Sequence, residues 1–321
     1  MRIPGIHHVT AVAGDPQRNV DFYVGVLGLR LVKRTVNFDD PGTYHLYYGD
    51  GAGSPGTIMT FFAWPGAPQG QIGTGQVSVT SFSIPPAAVG YWSDRLRGHD
   101  AHVDGPHVRF DEQVIAFADP DGLPLELVAP ARGDDRFAWS GGPVPERYGI
   151  RGFYGVTLAE RGRHEGGAET TGLLTDGLGF RVVAEVDNRI RCAMGAGEPG
   201  ALVDVACVPG AERGQIAAGT VHHVAWRVPD GEQQAAWRQR LLSLRIDVTP
   251  VRDRQYFRSI YFREPGGVLL ELATDLPGFG IDESPEALGS GLRLPAWLES
   301  RRAALERSLP PLRLPNVVRG V

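Results

Sequence analysis

The sequence is poor in cysteine, has no long apolar run and has no large excess of charge of one sign. Two cysteines in 321 residues, Cys192 and Cys207, exclude a disulfide framework, and we expect both to be buried, reduced thiols. No apolar run approaches membrane-spanning length, so we expect no membrane association. The 32 basic and 37 acidic residues are mixed along the chain, with no basic run that would favour nucleic acid. Residues 1–4 lead straight into a strand-like segment without room for a signal peptide, so we expect a cytoplasmic protein.

Glycine and proline are abundant, with 43 and 25 residues, and this fits many short strands joined by tight turns. The length of 321 residues allows two ordinary domains with cores of their own. One pattern of a strand, a helix and three further strands occurs four times along the chain. The first strands of these units lie at 6–12, 77–84, 152–158 and 221–228. The sequence therefore predicts an α+β fold of four βαβββ units.

Each unit is too small to bury one face of a curved sheet alone, so we expect the units to pair into two half-barrel bodies with mixed sheets. Along the chain, residues 1–131 hold units 1 and 2, and 151–276 hold units 3 and 4. The Gly-, Pro- and charge-rich segment 132–150 is the expected linker. Residues 277–321 are the expected C-terminal tail, with a short amphipathic helix near 296–305.

Aligning the four units by their sequence patterns predicts which of them carry metal ligands. At one shared position of the first strands stand His8, Val79, Gly155 and His223, and at one shared position of the last strands stand Phe61, Glu126, Val205 and Glu271. Units 1 and 4 together therefore supply two histidines and one carboxylate. Unit 1 must then pair with unit 4, and unit 2 with unit 3. Glu126 has no histidine partners, and we expect it to be a remnant or a structural ion pair.

Glu271 lies inside an apolar run, 268–273, that is otherwise suited to a core strand. A buried carboxylate without a partner costs several kcal/mol, so Glu271 should have a cation or another strong partner. Two histidines and one carboxylate with open positions on one face are the ligand set of non-haem Fe(II) oxygenases. The sequence therefore predicts a metal site of His8, His223 and Glu271, for Fe(II) or Mn(II).

Several short segments occur together in a specific order over nearly the whole chain. They are 5–10 (GIHHVT), 17–23 (QRNVDFY), 31–35 (LVKRT), 44–48 (YHLYY), 55–57 (PGT) and 277–279 (PGF). The four units resemble the vicinal-oxygen-chelate superfamily, which includes glyoxalase I, extradiol dioxygenases and antibiotic-resistance binding proteins. The ordered segments resemble most closely the ring-cleaving dioxygenases that open hydroquinones. The resemblance implies the same three metal ligands.

Five more residues are expected around this site. His7 and His222 precede the two ligand histidines, and strand alternation predicts that they point to the opposite face and make hydrogen bonds there. Thr10 shares the face of the first ligand histidine and should line the pocket. The resemblance implies that Tyr261 and Arg254 hold an anionic substrate oxygen, and that His7 and His222 influence the pocket.

The sequence thus predicts a metal-dependent dioxygenase that cleaves the ring of a dihydroxylated aromatic and inserts both atoms of O2. A small aromatic substrate and O2 are the expected partners, and a homo-oligomer is left open. Hydroquinone rather than catechol follows from the resemblance alone. Two alternatives stay open, a Lewis-acid metalloenzyme of the glyoxalase or epimerase type and a metal-free protein that binds an aromatic or a drug. His45 is expected to be structural, at the edge of the pocket.

Overall fold

The computed structural model describes residues 1–314, which form sixteen β-strands and five α-helices. The strands are β1 (Ile6–Ala13), β2 (Arg30–Val36), β3 (Tyr44–Gly49), β4 (Ile58–Ala63), β5 (Gln76–Ser83), β6 (Asp104–Arg109), β7 (Glu112–Ala118), β8 (Pro124–Ala129), β9 (Gly152–Glu160), β10 (Arg181–Val186), β11 (Arg189–Ala193), β12 (Leu202–Cys207), β13 (Thr220–Val228), β14 (Arg252–Asp253), β15 (Arg258–Arg263) and β16 (Leu269–Thr274). The helices are α1 (Pro16–Val20), α2 (Val89–Gly98), α3 (Ala168–Gly172), α4 (Gly231–Ser243) and α5 (Arg302–Ser308). Short π or 3-10 turns adjoin α1, α2, α3 and α5.

The strands form two eight-stranded mixed sheets, each curved into a half-barrel. The first sheet has the order β14-β15-β16-β13-β1-β4-β3-β2, and the second β10-β11-β12-β9-β5-β8-β7-β6. Unit 1 therefore pairs with unit 4 and unit 2 with unit 3, so the predicted fold class and pairing are confirmed. Strand β14 has only two residues, and in the segment before it Val248 makes a single bridge to Phe262.

The two units of each sheet meet through their first strands. In the first sheet β1 and β13 run antiparallel, and each is parallel to the last strand of its own unit, β4 or β16. Each unit thus has its first and last strands innermost, and the second sheet repeats this arrangement with β5 and β9. As a result, the first and last strands of units 1 and 4 lie side by side at the centre of one sheet.

The central strands are covered on both faces. Every residue of β1 is buried, and so is every residue of β9. A side chain such as Val9, fully buried, contributes about 1.5–3 kcal/mol relative to an exposed one. The helices cover the outer faces, and α4 does so with Trp237 and Leu241. Polar groups on the inner face of β1 and β13 are therefore shielded from solvent by the fold itself.

The segment that joins unit 2 to unit 3 packs on the body. Tyr148 stacks on Tyr91 with ring centroids 4.5 Å apart, and its carbonyl accepts a hydrogen bond of 2.8 Å from Trp92 Nε1. The division at 1–131, 132–150, 151–276 and 277–321 stays a prediction, and 315–321 of its tail lie outside the described residues.

The remaining part of the tail contains a 3-10 turn, Ala296–Arg301, followed by α5. Each contributes one buried leucine, Leu298 and Leu305. Among residues 1–314 no helix combines the length and the apolar character needed to cross a membrane. Cys192 and Cys207 are free and buried, as expected.

Candidate metal centre

Both His-His pairs lie at β-bulges. Along β1 and β13, Ile6 pairs with Trp226 but His8 pairs with Ala225, so His7 is an extra residue on its strand. A bulge breaks the alternation of side chains and re-aims the extra residue. His7 Nδ1 consequently lies 2.9 Å from His8 Nδ1. The predicted opposite orientation of His7 is therefore wrong, although the expected hydrogen bonding is present.

The second pair has the same geometry. Thr10 pairs with His223 and the next residue, Ala11, pairs with Val221, so His222 is the extra residue on β13. Its Nδ1 lies 2.7 Å from His223 Nδ1, and its side chain lines the pocket. Strand alternation fails here as well. In both pairs the Nδ1 of the second histidine is held, which leaves its Nε2 free for another partner.

The two free Nε2 atoms and one carboxylate oxygen converge. His8 Nε2 and His223 Nε2 are 3.3 Å apart, and Glu271 Oε2 lies 3.3 Å and 2.9 Å from them, respectively. Ligand atoms held about 2.1 Å from one first-row metal ion lie roughly 3.0–3.4 Å from each other. Among residues 1–314, these three form the one group of three side chains that could hold a metal ion.

Glu271 is fully buried on β16, beside Ala225 of β13. Ser259 Oγ donates a hydrogen bond to its Oε1. Its Oε2 accepts no well-oriented hydrogen bond from any described residue, although it faces both histidines. A buried carboxylate oxygen of this kind is costly unless a cation compensates it. The residues therefore fit a metal ion.

The pKa values of these groups favour the forms that a metal requires. Burial lowers the pKa of His223, so its imidazole is neutral at neutral pH. Burial raises the pKa of Glu271, but the neighbouring imidazoles of His8 and His223 outweigh this and hold it well below its usual range. Metal binding needs neutral imidazoles and an ionised carboxylate.

The two outer histidines are also neutral. Burial, followed by the neighbouring His8, keeps the pKa of His7 well below its usual range. Burial and the neighbouring His223 lower the pKa of His222 to about 3. Each ring can accept a hydrogen bond at Nδ1 from the histidine that follows it, His8 or His223, and so orient that imidazole.

A cavity of about 350 Å³ opens beside the three groups. One part of its wall is apolar and comprises Phe38, Phe62, Trp64, Phe257 and Leu269. The polar part includes Thr10, His45, Tyr47, Arg254 and Tyr261. A cavity of this size with few convergent polar groups suits a small, partly apolar ligand.

Arg254 and Tyr261 come together in this wall. Arg254 Nε donates a 3.1 Å hydrogen bond to the Tyr261 hydroxyl, and its Nη1 lies 3.0 Å from Asp39 Oδ2. Burial and then the charge of Glu271 raise the pKa of Tyr261, so its hydroxyl stays protonated. Tyr261 also pairs directly with Glu271 across β15 and β16. Asp39 carries no sequence signal of this role, because it lies in a turn-like stretch ending in Asp-Pro-Gly.

The register of the sheets corrects two of the aligned positions. Glu271 pairs with the residue two places after its histidine, and by the same count the partner in unit 1 is Thr60, not Phe61. In unit 3 it is Asp204, not Val205. The sequence alignment was wrong by one residue in both last strands, because nothing in those apolar runs marks the register.

The second sheet has charged residues at the equivalent place. Glu126 accepts hydrogen bonds of 2.7 Å and 2.6 Å from both terminal nitrogens of Arg109, so the predicted structural ion pair is confirmed. Asp204 lies 2.7 Å from Arg191 Nε and 3.0 Å from Arg189 Nη1. Arginine side chains neutralise these carboxylates.

Comparisons with known proteins agree with this geometry. The sequence profile described as "Glyoxalase/Bleomycin resistance protein/Dioxygenase superfamily" matches residues 5–127 and 168–272. MhqO of Bacillus subtilis, provisionally named a ring-cleaving dioxygenase, is 48% identical over 310 residues and 96% of each chain. Chlorohydroquinone/hydroquinone 1,2-dioxygenase of Sphingobium indicum is 34% identical over 96% of each chain. The crystal structure of a provisionally named dioxygenase of B. subtilis superposes with a TM-score of 0.92 at 46% identity, covering 98% of this chain and 99% of that one.

Proposed function

Because the chain belongs to the Glyoxalase/Bleomycin resistance protein/Dioxygenase superfamily, we propose that it is a metal-dependent dioxygenase that opens the ring of a hydroquinone. The observation that carries this proposal is the convergence of His8 Nε2, His223 Nε2 and Glu271 Oε2 beside one cavity of about 350 Å³. Three protein ligands on one side leave room for a substrate oxygen and O2 on the other.

We propose Fe(II) as the metal, with Mn(II) as the second choice, since two histidines and a carboxylate suit both ions. His8, His223 and Glu271 would hold it. A bound ion would bring a substrate hydroxyl oxygen and O2 together and would let electrons pass from the ring to oxygen. The reaction breaks the ring bond between a hydroxyl-bearing carbon and its neighbour. One oxygen atom of O2 enters at each of these carbons, which become a carboxylate and an aldehyde.

The surrounding side chains are proposed to hold the substrate and to manage its charge. The guanidinium of Arg254 is oriented by Asp39 and supplies a fixed positive charge in the pocket wall. Tyr261 accepts from Arg254, so its own proton is available to an anionic substrate oxygen. Thr10 adds a second hydroxyl to the polar wall.

The outer histidines are proposed to hold the ligands in orientation. With its Nδ1 accepting from His223, neutral His222 keeps a proton on Nε2 and can donate it toward the cavity. His7 fixes His8 in the same way and lies against Phe257, with ring centroids 5.0 Å apart.

The test is O2 uptake by protein loaded anaerobically with Fe(II), with hydroquinone and catechol compared side by side. We expect uptake with hydroquinone, lost in a His223→Ala variant. Uptake with catechol alone would support the metal site and refute hydroquinone as the substrate. No uptake with either compound, despite bound metal, would refute the dioxygenase and favour a Lewis-acid enzyme of the glyoxalase type.

We also infer a reducing cellular compartment, the cytoplasm, from the two free, buried cysteines. Cell fractionation tests this. Whether the chain forms a homo-oligomer was left open by the sequence, and light scattering on the purified protein decides it.

A further inference from the structure

Thr60 stands where a second carboxylate ligand would enter the metal site. Thr60 on β4 pairs with Thr10, which lies two residues after His8. In the same way, Glu271 on β16 pairs with Ala225, which lies two residues after His223. In the sheet order β16-β13-β1-β4, the last strands of units 4 and 1 flank the paired strands β13 and β1. Thr60 on β4 is therefore the counterpart of Glu271 on β16. A neutral hydroxyl therefore replaces a charged ligand at this place.

The neighbours of Thr60 repeat those of the carboxylate. Tyr47 pairs with Thr60 across β3 and β4, as Tyr261 pairs with the carboxylate across β15 and β16. His45 precedes Tyr47 by two residues, as Ser259 precedes Tyr261. Ser259 Oγ donates to the carboxylate, and His45 Nε2 lies 2.7 Å from Thr60 Oγ1. His45 thus holds Thr60 in the way that Ser259 holds the metal ligand.

These residues form one hydrogen-bond chain that ends in the pocket. The Tyr47 hydroxyl lies 2.9 Å from His45 Nδ1, and Thr60 Oγ1 donates to Thr10 Oγ1 at 3.2 Å. A neutral imidazole has one donor and one acceptor nitrogen. Because the Thr60 proton goes to Thr10, His45 Nε2–H donates to Thr60, and His45 Nδ1 accepts from Tyr47. The hydroxyl proton of Thr10 is then free to donate into the cavity.

Burial keeps the His45 ring neutral, as this hydrogen-bond chain requires. Burial, followed by the neighbouring His8, His223 and Arg254, holds the pKa of His45 well below its usual range. Glu271 acts in the opposite sense but more weakly. The ring is therefore neutral, with one proton to donate.

We propose that Thr10, Thr60 and His45 form a cradle for the substrate oxygen at the place of the missing carboxylate ligand. Thr10 donates to that oxygen, and Thr60 and His45 are positioning residues that fix the direction of its hydrogen bond. A carboxylate here would repel an anionic substrate oxygen, whereas a hydroxyl donor stabilises it. The proposal rests on the proposed ring-cleaving function, because it names the residues that bind the substrate oxygen in the same site.

The first test measures binding without turnover. Protein loaded with Mn(II) is titrated anaerobically with hydroquinone by calorimetry. Thr60→Val and His45→Leu are expected to weaken hydroquinone binding about 10- to 100-fold, the effect of one hydrogen bond to a charged oxygen. Their affinity for Mn(II) should stay within about threefold. His45→Gln should retain hydroquinone binding within about threefold, because its amide can donate to Thr60.

The matched control is Thr80→Val in the second sheet. Thr80 is fully buried, and its hydroxyl has no hydrogen-bond partner among the described residues. It should change neither affinity. If Thr60→Val and His45→Leu bind hydroquinone as tightly as Thr80→Val does, while the wild type consumes O2 with hydroquinone, the cradle is wrong and the proposed function stands.

The second test restores the carboxylate. Thr60→Glu is expected to bind Mn(II) at least about tenfold more tightly, because a fourth protein ligand is added, and to lose hydroquinone binding. Unchanged Mn(II) affinity together with intact hydroquinone binding would contradict the proposal. If the wild type binds Mn(II) but neither hydroquinone nor catechol, the proposed function and the substrate role of the cradle both fail. The Mn(II) titration of Thr60→Glu then still decides whether Thr60 stands at a fourth ligand position.

Discussion

Replacing Lys33 by methionine is expected to lower the free energy of unfolding by about 3–5 kcal/mol, because it leaves a buried carboxylate without its main partner. The Lys33 and Glu283 side chains are both 0% exposed, and Lys33 Nζ lies 2.5 Å from Glu283 Oε2. Nζ also lies 2.5 Å from Asp282 Oδ1 and 3.2 Å from the carbonyl oxygen of Phe279. In the variant, Arg293 at 3.2 Å is the remaining cation near Glu283 among the described residues.

The assay is urea unfolding of the wild type, Lys33→Met, Glu283→Gln and the double variant. The double variant should recover part of the loss, because it carries no unpaired charge, and the coupling energy isolates the pair. Arg302→Met is the control, since Arg302 makes exposed ion pairs and should cost less than about 1 kcal/mol. If Lys33→Met lowers the free energy of unfolding no more than Arg302→Met does, the reasoning about the buried pair of Lys33 and Glu283 is refuted.

Three other perturbations test the metal site, a buried acid and the second sheet. Mn(II) at one hundred times its dissociation constant should stabilise the wild type by about 2.7 kcal/mol; an equal rise in the melting temperature of Glu271→Gln would contradict the ligand assignment. Burial and then the charge of Glu264 raise the pKa of Glu160 from 4.5 to about 8, so the folded state holds this proton more tightly than the unfolded state. Stability should therefore fall as the pH rises from about 4.5 to 8, by up to roughly 1.4 kcal/mol per pH unit, and Glu160→Gln should flatten this profile in urea unfolding. Arg109→Met should cost about 3–5 kcal/mol by leaving Glu126 unpaired, with Mn(II) affinity unchanged; a loss of metal binding would show that the two sheets are coupled.

The sequence predicts the architecture because repetition is visible in it. Four similar units limit the ways in which curved sheets can close, and histidines in units 1 and 4 alone select their pairing. Glu271 stands out because a carboxylate within an apolar run demands a partner. These features depend on residue type and order, which are explicit in one chain.

The errors arise where position depends on contacts between strands. His7 and His222 lie at bulges, and a bulge is a property of two paired strands rather than of one. Thr60 was missed because the sequence does not show the register of an apolar strand, and a shift of one residue moves every side chain to the other face. Asp39 reaches Arg254 across the cavity mouth, a contact between segments more than two hundred residues apart. The pairing of His45 with Tyr47 on one strand face was visible as alternation, but its link to Thr10 was not.

The arginines beside Glu126 and Asp204 have a consequence for the cell. Their positive charges are covalently part of the chain, so charge balance in the second sheet exists from the moment of synthesis and does not depend on metal supply. In the first sheet, the cation that balances Glu271 would be a metal ion, which a chelator can remove. Without the ion, the buried Oε2 of Glu271 would be left uncompensated, whereas Glu126 and Asp204 would keep their arginine partners. Amide hydrogen exchange after chelation should accordingly rise on β1, β13 and β16 and stay unchanged on β5 and β9.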